Sequence, residues 1–157
     1  MPHTVYILSD LHLAAGREPA SGEWDDLDRF RDDDLFVALL GVLGAVATPV
    51  ELVIAGDLID FPRIVPAFSE MFPAERLGAS TADSLERTML ALGQSPTAAT
   101  GHPAVFAALR RFMANGHSIT IVTGERDIDL LWPDVWALVF DAIYPPGAPG
   151  ELRRRAF

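Results

Sequence analysis

"VELVIAGDLID", residues 50 to 60, decides the fold of this chain. A β-branched-rich apolar run ends in Ala55 and Gly56, and a carboxylate, Asp57, follows at once. Short continuous apolar runs bounded by a turn residue read as strands, and the lack of strict alternation suits strands buried on both faces. The same grammar recurs in "TVYILSD" at 4 to 10 and in "SITIVTGERD" at 118 to 127. Each run closes on a small residue and then an acid.

The segments between these runs read as helices. From about Asp32 to Ala47 the pattern is helical, with Asp32, Asp33 and Asp34 near the positive N-terminal end, where carboxylates cap and complement the dipole. "HPAVFAALRRFMANG" reads as a second helix, with Pro103 in its first turn and Asn115-Gly116 as its stop. Strand, helix, strand, helix, strand implies an α/β fold with a largely parallel central sheet and flanking helices. Residues 1–157 form one domain, and 62–101 an insertion. Within it, "STADSLERTMLAL" reads as a capped helix, and the apolar "FPRIVPAFSEMF" is either a substrate cap or a loop packed on itself. Trp132 and Trp136 read as one face of a further short helix. The closing "PPGAPGELRRRAF" looks like an arbitrary stop.

Bulk properties narrow the chemistry. Twelve Lys plus Arg against 22 Asp plus Glu give a net charge of −10, which repels phosphate backbones and argues against general nucleic-acid binding. A cation suits such a chain better. There are no cysteines, so a thiolate zinc site and a disulfide framework are both excluded. The start "MPHTVYILSD" lacks the features of a signal peptide, and "LFVALLGVLGAVA" is shorter than the roughly 20 residues a membrane span requires. A cytoplasmic protein without a membrane span is the expectation.

In a parallel sheet every strand ends at the same edge, so the three acid-bearing turns should lie side by side. Asp10 and His12 come from "SDLHL", and Asp57 and Asp60 from "AGDLID". Residues i and i+2 of an extended chain point the same way, so Asp10 and His12 are placed to grip one ion. Carboxylates with one imidazole suit Mn²⁺, Fe, Zn²⁺ or Mg²⁺, and a shared carboxylate such as Asp57 can bridge two ions about 4 Å apart. His102, before Pro103, and His117, after Asn115-Gly116, read as solvated turn residues, and His3 is equally unremarkable.

"SDLHL", "GDLID" and "GERD" together resemble, in order and spacing, the D-x-H, G-D-x-x-D and G-N-H/R-D blocks of calcineurin-like metallophosphoesterases. The resemblance covers most of the chain but only about the first half of the family's α/β/β/α sandwich. It implies a dimetal hydrolase acting on a phosphomonoester, phosphodiester or pyrophosphate bond of a small or nucleotide-like substrate through a metal-bound hydroxide. Asp10 and His12 would hold the first ion, Asp57 would bridge to the second, Asp60 would stand behind them, and Mn²⁺ is the first-choice metal.

Two departures qualify it. Glu125 stands where the family has Asn, and is expected to face the second metal position. Arg126 replaces the commoner His; it is expected either to bind substrate phosphate or to pair with Asp127, and Asp127 to hold it in place. The family's later ligands are histidines, and no histidine follows His117, so an incomplete second site and feeble turnover by this chain alone are expected. The half-sheet would then expose apolar surface. The rival reading is a domain that keeps the fold and a metal without turnover. A dinucleotide site is disfavoured, because "SDLHLAAG" offers no G-x-G-x-x-G, and an aspartyl-nucleophile phosphatase would want Asp where His12 stands.

Overall fold

The computed structural model describes residues 4–18, 20–65, 81–95 and 101–156. Four strands form one all-parallel sheet in the order β1-β2-β3-β4: β1 (Thr4–Leu8), β2 (Val50–Ala55), β3 (Ser118–Val122) and β4 (Leu152–Arg155). Four helices connect them: α1 (Asp33–Leu43), α2 (Thr81–Leu92), α3 (Pro103–Ala114) and α4 (Pro133–Ile143). Two 3-10 turns, Phe61–Arg63 and Ile128–Leu131, follow the second and third acid-bearing turns. Among the described residues no helix is long and apolar enough to cross a membrane.

A sheet that adds its strands in one direction through right-handed crossovers carries every connection on the same face. Burial agrees. Val50, Leu52 and Ile54 of β2 are buried, while the alternating Glu51, Val53 and Ala55 are only partly covered. Each fully buried aliphatic side chain stabilises the fold by about 1.5–3 kcal/mol, so these positions fix the register. The expectation of strands buried on both faces holds only for β3, where Ile119, Thr120 and Ile121 are all buried, and is corrected for β2, where one face is packed beneath helices and the other is partly open. On edge strand β1, Ile7, 67% exposed, and Val5 lie open on the uncovered face, and Tyr6, on the other face beside Leu52, is exposed as well.

The helices confirm the periodicity but shift its bounds. The first ends at Leu43, capped by Gly44, rather than at Ala47, and buries Phe36, Leu40 and Leu43. Its outward residues Leu35, Leu39 and Val42, with Val46 just beyond, form an exposed apolar stripe. Asp32 makes no side-chain cap, and Asp33 turns its carboxylate to His102, so the capping role expected of these acids is replaced by a tertiary contact. In α3, Pro103 takes the first turn and Asn115 the C-cap.

The insertion holds α2; Ser80 and the apolar residues from 66 to 72 lie outside the described residues. Trp136 packs against the core from α4, but Trp132 only precedes that helix and stays exposed, so the two do not share a buried face. The apparent stop carries β4, whose Arg153, Arg154 and Arg155 conceal a strand, as charged residues on an edge strand do.

A candidate metal site at the strand ends

The turns after β1, β2 and β3 meet where parallel strands share an edge, and backbone hydrogen bonds lace the first two together. The amide of Asp10 donates to Gly56 O at 3.3 Å, that of His12 to Asp57 O at 2.9 Å, and that of Leu13 to Leu58 O at 3.0 Å. The bond from Asp60 N to Leu13 O, 2.9 Å, closes the exchange. This lacing bends the chain sharply. Asp10, His12 and Asp57 have φ of 57°, 55° and 52°, and among the described residues they are the non-glycine positions in the left-handed region. Asp and His tolerate that region better than most side chains, yet strained backbone of this kind persists only where the surroundings enforce it.

Those same residues converge. One donor atom from each of Asp10, His12 and Asp57 lies within 4.8 Å of the others. The His12 Nε2 is 3.7 Å from Asp10 Oδ1, while its Nδ1 lies 3.5 Å from Asp60 Oδ2. The carboxylate of Asp60 stands behind the imidazole at ion-pair range, without a hydrogen bond to Nδ1, and Nε2 faces Asp10. Two carboxylates and an imidazole fit a hard or borderline divalent cation, as the chemistry of the set demands.

The third turn is locked to the second by Asp127. This buried carboxylate accepts the amide hydrogens of Leu58, at 2.8 Å, and Gly124. Burial pushes its pKa up to about 6, with the Asp57 charge adding to the rise, against the pull of the amide hydrogen bonds from Gly124 and Leu58. Gly124 permits the close approach: a Cβ there would stand 2.8 Å from the Asp57 amide nitrogen and 2.9 Å from its Cγ. Asp57 Oδ1 in turn accepts the Arg126 amide hydrogen at 3.0 Å.

Asp60, 1% exposed, is the hub of the positive groups. It lies 3.2 Å from Arg126 Nη1 through Oδ1 and 3.2 Å from Arg63 Nε through Oδ2. Arg126 therefore pairs with Asp60 rather than with Asp127, whose two oxygens are occupied by backbone amides. Glu125 is not brought to the cluster. Its side chain is 84% exposed and, among the described residues, pairs with Arg126, at 4.0 Å. The turn carries it outward because Gly124 and Arg126 give their amides to Asp127 and Asp57.

The other histidines depart from expectation altogether: His102 and His117 are buried, not solvated. His117 Nδ1 accepts the Val50 amide hydrogen at 3.2 Å and Nε2 donates to Gly44 O at 3.2 Å, so it pins the start of β2 to the end of α1. His102 sits between Asp28 and Asp33. Both residues are polar side chains in turn sequences whose burial depends on partners about 70 residues away, which no local pattern signals. His3 lies outside the described residues.

Compared with family models, with curated proteins and with solved structures, the chain finds no match in any of the three.

Proposed function

We propose that the chain is a metal-dependent phosphoesterase domain of the calcineurin-like kind, with Asp10, His12 and Asp57 as the ligands of a divalent ion, Mn²⁺ first. The observation that carries this reading is the convergence of those three donors within 4.8 Å on strained turns at the C-terminal edge of a parallel sheet. When bound, such an ion supplies Lewis acidity toward a phosphate ester. The chain's own residues supply the rest. Asp60 places its negative charge behind His12 and holds the guanidinium of Arg126, and that planar fork, a third exposed, is matched to the oxygens of a phosphate. Asp127 keeps the third turn docked beside Asp57 by its amide contacts and touches no reacting group.

A second reading, metal retention without turnover, is favoured by one observation: Glu125 points to solvent, so the third turn adds no side-chain donor to the other three. Steady-state hydrolysis of bis-p-nitrophenyl phosphate with added Mn²⁺ separates the two. The phosphoesterase reading expects slow metal-dependent turnover, abolished by Asp57→Ala, and an Arg126→Ala variant with a raised KM but unchanged Mn²⁺ affinity. A chain that binds Mn²⁺ yet turns over no faster than Asp57→Ala overturns it in favour of the second.

A further inference from the structure

We propose that His102 is a proton-operated latch: as an imidazolium wedged between Asp28 and Asp33 it ties the start of α1 to the start of α3 and to the loop downstream of Asp10 and His12, and loss of its proton releases α1. The geometry requires the charged ring. Nε2 lies 2.9 Å from Asp28 Oδ2 and Nδ1 lies 2.8 Å from Asp33 Oδ1, with the ring fully buried. A neutral imidazole has a single N–H, so one nitrogen would turn a lone pair toward a carboxylate; only the imidazolium donates from both. His117, by contrast, meets one donor and one acceptor and needs a single N–H. The carboxylates raise the His102 pKa to about 9 although burial, the largest single influence, pulls it down.

The surroundings keep water from the ring. Trp24 stacks on it at 5.8 Å between centroids and Phe30 meets it edge-on at 5.9 Å. The Arg17 guanidinium lies 4.2 Å from the Trp24 ring centroid, and Arg31 Nε donates to the Asp28 carbonyl at 3.3 Å. Arg17 and Arg31, with Asp32, Asp33 and Asp34 from the start of α1, line an adjoining cavity of about 370 Å³; α3 itself adds no other charge there. Of these groups Asp28 and Asp33 are the ones that bond the ring.

The two carboxylates differ in mobility. Asp28 is fixed, accepting the amide hydrogens of Gly16 at 2.6 Å and Phe30 at 3.0 Å. Asp33 is 20% exposed and can turn to water. The proton therefore leaves from Nδ1 to solvent, Asp33 swings away, and Nε2–H stays on Asp28. What loosens is the tie between the starts of α1 and α3, while the loop stays on α3 through Nε2–H and Asp28 and through the Gly101 amide, which donates to Ala15 O at 2.8 Å.

The test is a pH titration of ¹⁵N-histidine-labelled protein by long-range ¹H–¹⁵N spectroscopy, with His102 assigned through His102→Gln. Should that variant not fold, Asp33→Asn assigns the ring as the signal it moves. Both nitrogens should be protonated at pH 7, the midpoint should lie near pH 9, and Asp33→Asn should lower it by about a unit or more. The amide signals of Asp33 and Asp34, at the start of α1, should move with the same midpoint. A neutral His102 at pH 7, or a ring that titrates while these α1 amides stay still, overturns the latch.

Discussion

Placing an alanine methyl at Gly124 tests how the proposed metal site is assembled. The added Cβ would stand 2.8 Å from the Asp57 amide nitrogen and 2.9 Å from Asp57 Cγ, and closer still to Oδ1. Carboxylate and methyl cannot coexist there, so Asp57 Oδ1 must retreat and lose the Arg126 amide hydrogen it accepts at 3.0 Å. Overpacking costs about 1–3 kcal/mol, and a hydrogen bond to a charged group about 1.5–3 kcal/mol, so a combined loss of roughly 2.5–6 kcal/mol is expected. For a domain of this size that lowers Tm by about 5–24 °C. Mn²⁺ affinity should fall at least about tenfold, equivalent to about 1.4 kcal/mol. The control is Gly41→Ala, on the exposed side of α1 with nothing within 4 Å of the new methyl, which should raise stability by about 0.5–1 kcal/mol. Calorimetric melting and Mn²⁺ titration of the two variants read the contrast directly. Wild-type Tm and Mn²⁺ affinity in Gly124→Ala would refute the tight packing of the third turn on Asp57.

Asp60→Ala should leave Arg63, Arg126 and the His12 ring without their common carboxylate; because both arginines are partly solvated the cost is about 1–3 kcal/mol, read as a lower midpoint in urea, and Mn²⁺ binding should weaken as the negative charge behind His12 is lost. Stability should also depend on alkaline pH. His102 has its pKa raised from 6.5 to about 9 on folding, so its contribution is complete below pH 6.5 and is lost as pH rises through 9; the difference, roughly 3 kcal/mol, should appear as a falling Tm between pH 7 and 10 that Asp33→Asn flattens. A Tm that holds constant over that range would contradict it.

The parallel sheet was legible because its first three strands are short apolar runs, and that topology brings the turns of Asp10, His12 and Asp57 side by side; the extended chain expected to aim Asp10 and His12 together is instead left-handed at both residues. What escaped the sequence depended on distant partners or on unidirectional strand order. That order leaves one face of the sheet open, which residue periodicity in β1 does not show, since Val5 and Ile7 are as apolar as core positions. Charge disguised β4. The opposite fates of Glu125 and Asp127, one exposed and one buried, turn on which backbone amides are free after Gly124, a matter of turn geometry that two neighbouring acids in a sequence cannot reveal. His102 and His117 sit in segments rich in turn residues, and only the fold shows that each ties remote elements together.

The central claim is that Asp10, His12 and Asp57 form a divalent metal site, and metal stoichiometry after Mn²⁺ loading tests it most directly. Protein purified without chelator, resupplied with Mn²⁺ and desalted should retain bound metal by elemental analysis, and its Tm should rise with free Mn²⁺, because a ligand bound only by the native state stabilises it by mass action. The Asp10→Ala, Asp57→Ala double variant should retain none and show no such rise. Equal metal content in the two proteins would contradict the account.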